Sequence, residues 1–207
     1  MPTSQTKIDI WNLALDIVRE TALQTTTEST PTARWLERNY SHAVEVTLRS
    51  YVWGFAKKRF EIAADATAPL FKWSYRYKIP AGAVRVLPVM SGGYRQGRPV
   101  PTEIVGGYIE TDYAAPLPVT CIMDKSANPG EWDALFVEIV RCALAWGMAN
   151  KFTGKSQFID RAEKMLRAAQ EKAEQIEAFE SPAEPTEEYD ILRARESSYT
   201  GRGYGFS

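Results

Sequence analysis

The sequence contains very few of the residues that bind metal ions or act as nucleophiles. It has one histidine, His42, and two cysteines, Cys121 and Cys142, with no CxxC spacing. His42 lies in a helical pattern without an HExxH partner, and Cys142 lies in an apolar helical stretch, where a free thiol behaves as a small hydrophobe. We therefore predict no metal ion, no cofactor and no catalytic histidine or cysteine, and we expect both cysteines to be reduced and buried.

The chain also lacks an excess of one charge and a long apolar run. Its net charge is -1, from 25 Lys and Arg against 26 Asp and Glu, which does not indicate nucleic-acid binding by the protein as a whole. No stretch reaches the roughly 18 consecutive apolar residues of a membrane helix, and residues 1–7 are polar, unlike a signal peptide. We expect a protein that is made in the cytoplasm and binds no membrane.

No enzyme motif in the sequence is complete. Residues 154–156 match the end of a P-loop, but Ala149 occupies the position of a required glycine, and a helix precedes the segment where a strand is needed. The glycine pairs 92–93 and 106–107 each join two predicted strands, which is typical of hairpin turns. The acidic residues of the middle third form no recognisable carboxylate pair. We predict that the protein is not an enzyme.

What the sequence does contain is ample apolar material in helical patterns, with 44% hydrophobic residues and six tryptophans. Apolar residues at spacings of three and four predict four helices. Thr30 and Pro31 supply an N-cap and a proline at the first helical position of the second helix. The predicted helices run from Lys7 to Leu23, Pro31 to Val52, Trp132 to Phe152, and Ser156 to Glu180.

The middle third changes to a period of two with many aromatic and β-branched residues, which predicts strands. These are expected at Phe55 to Ile62, Phe71 to Tyr77, Val84 to Met90, Tyr108 to Tyr113, and Val119 to Met123. The predicted fold is α+β and mainly α, a four-helix bundle with a small antiparallel β module inserted between the second and third helices, followed by an extended C-terminal arm. The segments are helices 1 and 2 at 1–54, the β module at 55–127, helices 3 and 4 at 128–180, and the arm at 181–207. The predicted bundle core comprises Trp35, Leu48, Phe136, Ile139, Leu144 and Met165.

The C-terminal arm has prolines, a cluster of acidic residues, and then arginines and aromatics separated by glycine and serine. Such a segment has too little apolar surface for a core of its own, so we expect it to order only on a partner. Arginine and aromatic side chains commonly anchor protein interfaces. The predicted partner-binding residues are Tyr189, Arg193, Arg195, Tyr199, Arg202, Tyr204 and Phe206.

Three short motifs occur in an order that resembles a known family. The first combines residues 10–15 (IWNLAL), Ala33 through Tyr40, and residues 51–59 (YVWGFAKKR). The second is residues 75–80 (YRYKIP) leading into Val84-Arg85-Val86, and the third is residues 131–136 (EWDALF) followed by Ala143-Leu144-Ala145. Together they cover about residues 8–180. The pattern resembles the head-to-tail adaptor (connector) family of tailed phages, which includes tail tubular protein A of short-tailed phages.

The resemblance implies a structural virion protein at the head-tail junction. Such an adaptor forms a ring of about twelve copies beneath the portal protein. The ring continues the channel through which DNA passes without sequence-specific binding, and it docks a tail nozzle or another tail protein. The arm would then bind the portal or a neighbouring subunit. Two departures affect the sheet: Ala81 and Gly82 follow Pro80 where the family often has an acid, and Pro116 and Pro118 interrupt the strand before Met123.

Two other function classes remain open from the residues alone. Trp73, Tyr75 and Tyr77 with Arg76 could stack on bases or sugars in a nucleic-acid- or glycan-binding module. The basic cluster at residues 57–59 could contact phosphates, although a solvated strand start is the more common role of such a cluster. A small enzyme with a dispersed site is the remaining alternative.

Overall fold

The computed structural model describes residues 5–91 and 98–180. These residues form an α+β fold with helices and two three-stranded antiparallel sheets. The elements as far as Glu174 form one compact unit, and Gln175 begins a second. The helices are α1 Lys7–Val18, α2 Pro31–Ser50, α3 Ala134–Met148 and α4 Ser156–Glu180. The strands are β1 Lys57–Ile62, β2 Tyr75–Lys78, β3 Ala83–Val86, β4 Glu103–Val105, β5 Tyr108–Thr111 and β6 Leu117–Met123.

Helix α1 ends at Val18, so the prediction that it continues to Leu23 is wrong. Arg19 adopts the left-handed conformation with φ 58°, and its N–H donates to carbonyls of the last turn. Leu23 is instead held by Asn12, whose side-chain amide donates to the Leu23 carbonyl at 3.0 Å and accepts from the Leu23 N–H at 2.9 Å. The apolar periodicity therefore extends past the helix because Leu23 packs on the core from a loop.

Helix α2 begins as its capping residues predict. The Thr30 hydroxyl accepts a hydrogen bond from the Ala33 N–H at 3.1 Å, and Pro31 occupies the first helical position. The helix ends at Ser50, two residues before the predicted Val52, because Tyr51 returns to an extended conformation. Both ends of α2 thus follow from local backbone preferences.

Helix α3 gives way at Ala149 to a π-helical turn that extends to Thr153, and Gly154 with φ 58° ends it. The helical segment thus ends one residue after the predicted end at Phe152. Although the helix is apolar on almost every face, it is not fully buried near its C-terminal end, where Trp146 is 43% exposed and Phe152 in the turn is 40% exposed.

The middle third forms two small sheets where the sequence predicts one β module. Their strand orders are β1-β6-β3 and β2-β5-β4, and every pairing is antiparallel. Strand β4 is absent from the sequence prediction. It joins β5 through Gly106 and Gly107, both with positive φ, so the hairpin predicted at this glycine pair is confirmed.

Strand β6 begins at Leu117, two residues before the predicted start, and therefore includes Pro118. Pro118 pairs with Glu61 of β1, whereas the pairing of β6 with β3 begins only at Cys121. A proline lacks an N–H, so it is tolerated where only one neighbouring strand is paired with it.

The larger hydrophobic core lies among the helices. It includes buried residues of every helix, such as Leu15, Leu48, Phe136 and Ala162. Four of the six predicted core residues are buried: Leu48, Phe136, Ile139 and Leu144. The other two, Trp35 and Met165, are half-buried and pack against this core.

A second core joins the two sheets. Its buried residues include Tyr77 of β2, Ile109 of β5, and Leu117 and Cys121 of β6. Ile122, the next residue of β6, belongs to the helical core. The β1-β6-β3 sheet is therefore a middle layer, with helices on one face and the β2-β5-β4 sheet on the other.

Candidate partner-binding surfaces

All the predicted partner-binding residues of the arm lie outside the described residues: Tyr189, Arg193, Arg195, Tyr199, Arg202, Tyr204 and Phe206. The described body nevertheless offers two surfaces with exposed apolar side chains. One lies on the outer sheet and the other lies between α2 and the π-helical turn that follows α3. Large apolar side chains in solvent are characteristic of binding surfaces when they cluster.

The first surface, which we call the sheet tip, comprises Leu70 and Phe71 of the β1–β2 loop. Leu70 is 96% exposed and Phe71 is 79% exposed, the largest values among the exposed apolar residues of the described chain. Ile104 and Val105 are about half exposed. The sheet tip therefore presents two apolar side chains in solvent, and β4 adds one exposed apolar side chain to each face of its sheet.

A carboxylate of β4 holds the loop that carries the sheet tip. The Lys72 ammonium lies 2.5 Å from the Glu103 carboxylate, and the Trp73 indole N–H donates to the same oxygen at 3.1 Å. These hydrogen bonds, first that from Lys72 and then that from Trp73, hold the pKa of Glu103 below its ordinary value. The loop is thus attached to β4 immediately after Phe71.

A second carboxylate holds the next residue of the loop. The backbone N–H and the hydroxyl of Ser74 both donate to one oxygen of Asp112, at 2.9 and 2.8 Å. Lys72, between Phe71 and these contacts, adopts a positive φ of 74°, which is uncommon for a residue with a side chain. The chain therefore turns sharply after Phe71, with the loop fixed on one side of the turn and Leu70 and Phe71 left in solvent.

The second surface, which we call the basic groove, is an open cavity of about 620 Å³. It lies between the first turns of α2 and the turn after α3. Its lining residues are Pro31, Arg34, Trp35, Glu37, Arg38, Lys151 and Phe152.

Two aromatic side chains form the apolar part of the basic groove. Trp35 and Phe152 contact edge to face, with ring centroids 6.4 Å apart. Trp35 also lies directly over Gly147 of α3, where an added Cβ would stand 2.6 Å from the indole ring. Gly147 thus lets α2 approach α3 closely enough for Trp35 to reach Phe152.

The charge of the basic groove is mainly positive. Its one acid, Glu37, is paired with Lys7 at 2.7 Å. None of Arg34, Arg38 and Lys151 forms a salt bridge with a carboxylate of the described residues. The N-terminal end of α2 adds a partial positive charge to the same region. The groove can therefore accept an anionic partner that also carries an apolar or aromatic group.

Beside the groove, a cluster of aromatic residues has a structural role. The Lys7 ammonium lies 5.0 Å from the ring centroids of both Trp11 and Tyr40, and Tyr40 stacks on Trp132. Burial, and then the charge of Glu37, raises the pKa of the Tyr40 hydroxyl. These contacts join α1 to α2 and to the segment before α3.

The residues with possible chemical reactivity are not assembled into a site. His42 is exposed on α2, and no group of three or more potential metal ligands occurs among residues 5–91 and 98–180. Cys121 and Cys142 are free and buried, as predicted. Burial raises the pKa of both thiols, that of Cys142 to about 12. Such thiols are poor nucleophiles at neutral pH.

The stacking platform suggested for a nucleic-acid- or glycan-binding module is largely occupied by contacts within the protein. Tyr77 is fully buried between the sheets and donates to the Tyr113 carbonyl at 2.6 Å. Arg76 is paired with Asp65 at 3.1 Å. Of the three aromatic residues considered, only Tyr75 is exposed.

The basic cluster of Lys57, Lys58 and Arg59 is exposed on β1, an edge strand. Charged residues on an edge strand prevent unwanted pairing with another sheet. The Lys58 ammonium also lies 5.2 Å from the ring of Phe60. This placement agrees with the prediction of a solvated strand start.

No family model and no curated protein matches the chain. None of the described helices has the length and apolar content needed to cross a bilayer.

The sequence prediction missed both apolar surfaces. The alternation of aromatic residues predicts a strand that begins at Phe71, whereas β2 begins only at Tyr75 and leaves Phe71 in the exposed loop. Helical spacing predicts that Trp35 lies in the core, whereas its side chain is half-buried. The groove depends on a contact between Trp35 and Phe152, and helical periodicity carries no information about such a distant pair.

Proposed function

We propose that this chain is a head-to-tail adaptor of a tailed phage particle. In this proposal the four helices pack as one bundle, and copies of the chain form a ring of about twelve beneath the portal. The ring continues the DNA channel and docks a tail protein, without catalysis. The protein is made in the host cytoplasm and resides at the head-tail junction of the virion.

The observation that carries the proposal is the placement of two unlike surfaces on one body. The sheet tip belongs to the outer sheet, whereas the basic groove lies in the helical layer, and the β1-β6-β3 sheet separates these layers. A ring requires heterologous contacts, in which one surface of a subunit meets a different surface of the next. The sheet tip and the basic groove can therefore each meet a different surface of a partner, as such contacts require.

The bundle is supported by the shared core of the helices. Leu15 of α1, Leu48 of α2, Phe136 of α3 and Ala162 of α4 all belong to one cluster of buried residues. The order of elements, with β1–β6 between α2 and α3, also agrees with the order expected from the resemblance. In the proposal the bundle is the rigid part of each subunit.

The sheet tip offers a direct test. Leu70→Ser with Phe71→Ser removes two exposed apolar side chains and should leave the circular dichroism spectrum unchanged, because neither residue is in a core. We expect the variant to lose ring formation or binding to portal particles in sedimentation experiments. Val46→Ser, at a residue of α2 that is 49% exposed, is the matched control and should assemble normally. Normal assembly of the double variant would show that the tip is not an assembly surface.

A further inference from the structure

We propose that the basic groove binds the acidic segment Glu184–Asp190 of a neighbouring copy of this chain. The inference rests on the proposed ring and specifies one of its subunit contacts. It gives the groove a defined occupant. It also assigns a separate role to the acidic part of the arm, which precedes Arg193 and the later arginines and aromatics.

Charge complementarity is the first support. Residues 184–190, EPTEEYD, contain four acids and no Lys or Arg. The groove supplies Arg34, Arg38 and Lys151, none of which is paired with a carboxylate of the described residues. Arginine and lysine form their strongest hydrogen bonds with carboxylates. An acidic peptide would therefore complete the charge balance of the groove.

The aromatic residue within the segment is the second support. Tyr189 lies between Glu188 and Asp190, so a bound segment would carry an aromatic ring among its carboxylates. The edge-to-face pair of half-buried Trp35 and exposed Phe152 provides an apolar wall for that ring. Aromatic rings favour such packing in addition to the apolar area that they bury.

A neighbouring copy as the donor follows from the ring itself. In a closed ring with heterologous contacts, each subunit offers its groove to one neighbour and its arm to the other. Residues 181–207 follow α4 in every copy, so each groove has one acidic segment available. Binding of this kind is repeated around the ring, and the effective concentration of each segment rises once the first contacts form.

Photo-crosslinking with isotope-labelled protein tests the proposal directly. Full-length protein carrying Tyr189→benzoylphenylalanine is mixed with fully ¹⁵N-labelled protein that retains Tyr189, irradiated over a concentration series, and digested with trypsin. We expect crosslinks from residue 189 to the labelled peptides that contain Trp35 or Phe152. Crosslinks only within unlabelled chains, or none to the groove at any concentration, would overturn the proposal.

Matched charge variants exclude a general electrostatic effect. Arg34→Gln, Arg38→Gln and Lys151→Gln together should lower the yield of mixed-isotope crosslinks by about tenfold, as expected for three exposed charge pairs. Lys57→Gln, Lys58→Gln and Arg59→Gln remove the same number of cations from β1 and should leave the yield unchanged. Equal losses in both triple variants would contradict a specific groove.

The outcome is distinguishable from that of the adaptor proposal. Rings on portal particles without crosslinks to the groove would refute this contact and leave the adaptor function standing. Groove crosslinks without any binding to portal particles would support the contact and refute the adaptor function.

Discussion

Cys121 and Ile122 are consecutive, fully buried residues of β6 whose side chains enter different hydrophobic cores. Cys121 lies in the core between the two sheets, whereas Ile122 lies in the core formed by the helices. This follows from the alternation of side chains along a strand. Strand β6 therefore links the packing of the outer sheet to the packing of the helices.

We predict that Ile122→Ala destabilises helices and sheets together. The change should lower the free energy of unfolding by about 2–5 kcal/mol, because it leaves a cavity where β6 meets the helices. Urea unfolding followed by circular dichroism and by tryptophan fluorescence should give coincident transitions. Ile104→Ala, the same change at a residue that is 57% exposed, should have little effect. Separate transitions would mean that the sheets fold independently of the helices.

We predict that Phe136→Ala is among the most damaging substitutions in the helical core. Phe136 is fully buried and contacts the rings of Trp53, Phe55 and Trp132 at centroid distances of 5.0, 5.2 and 4.7 Å. Phe136→Ala should lower the free energy of unfolding, measured with denaturant, by about 3–5 kcal/mol. Phe71→Ala, at a residue that is 79% exposed, is the matched control and should be nearly neutral. An unchanged stability of Phe136→Ala would contradict the packing of α3 in the helical core.

We predict that Gly147→Ala destabilises the protein although alanine favours helices. In an unobstructed helix, replacing glycine with alanine raises the free energy of unfolding by up to about 1 kcal/mol. Here the added Cβ would stand 2.6 Å from the Trp35 ring, so α2 and α3 must separate or Trp35 must move. We expect the free energy of unfolding to fall by about 1–3 kcal/mol. The fluorescence spectrum should shift as Trp35 becomes exposed. At Gly54 an added Cβ meets nothing within 4 Å, so Gly54→Ala serves as the control.

We predict that the attachment of the sheet tip weakens only under acidic conditions. The pKa of Glu103 is lower in the folded protein than in an ordinary glutamate. The ionised Glu103 side chain therefore stabilises the fold fully at a pH above the ordinary glutamate pKa, and this stabilisation is lost as the pH falls through the lowered pKa. The Trp73 indole proton, which is donated to Glu103, should report this titration by NMR with a midpoint below that of an ordinary glutamate. Glu103→Gln should abolish the titration, whereas Glu61→Gln, on β1, should preserve it. A midpoint at or above the ordinary value would refute the ion pair.

Local signals in the sequence predicted the elements that depend on local interactions. Thr30 and Pro31 predicted the start of α2, the glycines at 106–107 predicted a hairpin, and helical spacing predicted burial of Leu48 and Phe136. Each of these depends on residues within a few positions of one another. The helix end at Val18 was missed because a left-handed residue at Arg19 overrides an apolar pattern that continues to Leu23.

Features that depend on distant residues could not be predicted. The alternation of side chains along a strand shows which residues share a face of the sheet, but it does not show which strands are neighbours. The pairing of β1 with β6 and the division into two sheets therefore could not be predicted. The sheet tip is exposed because Glu103 and Asp112 hold the loop from positions more than 30 residues away. The basic groove likewise requires Trp35 of α2 to meet Phe152.

The central claim is that the chain assembles as a ring on a portal. Negative-stain imaging of the full-length protein mixed with portal particles from the same genome tests this claim most directly. The adaptor account predicts an additional ring of density on one end of the portal particle, with a central channel and cyclic symmetry of about twelvefold order. Portal particles that remain undecorated while the protein stays folded and in excess would contradict the account.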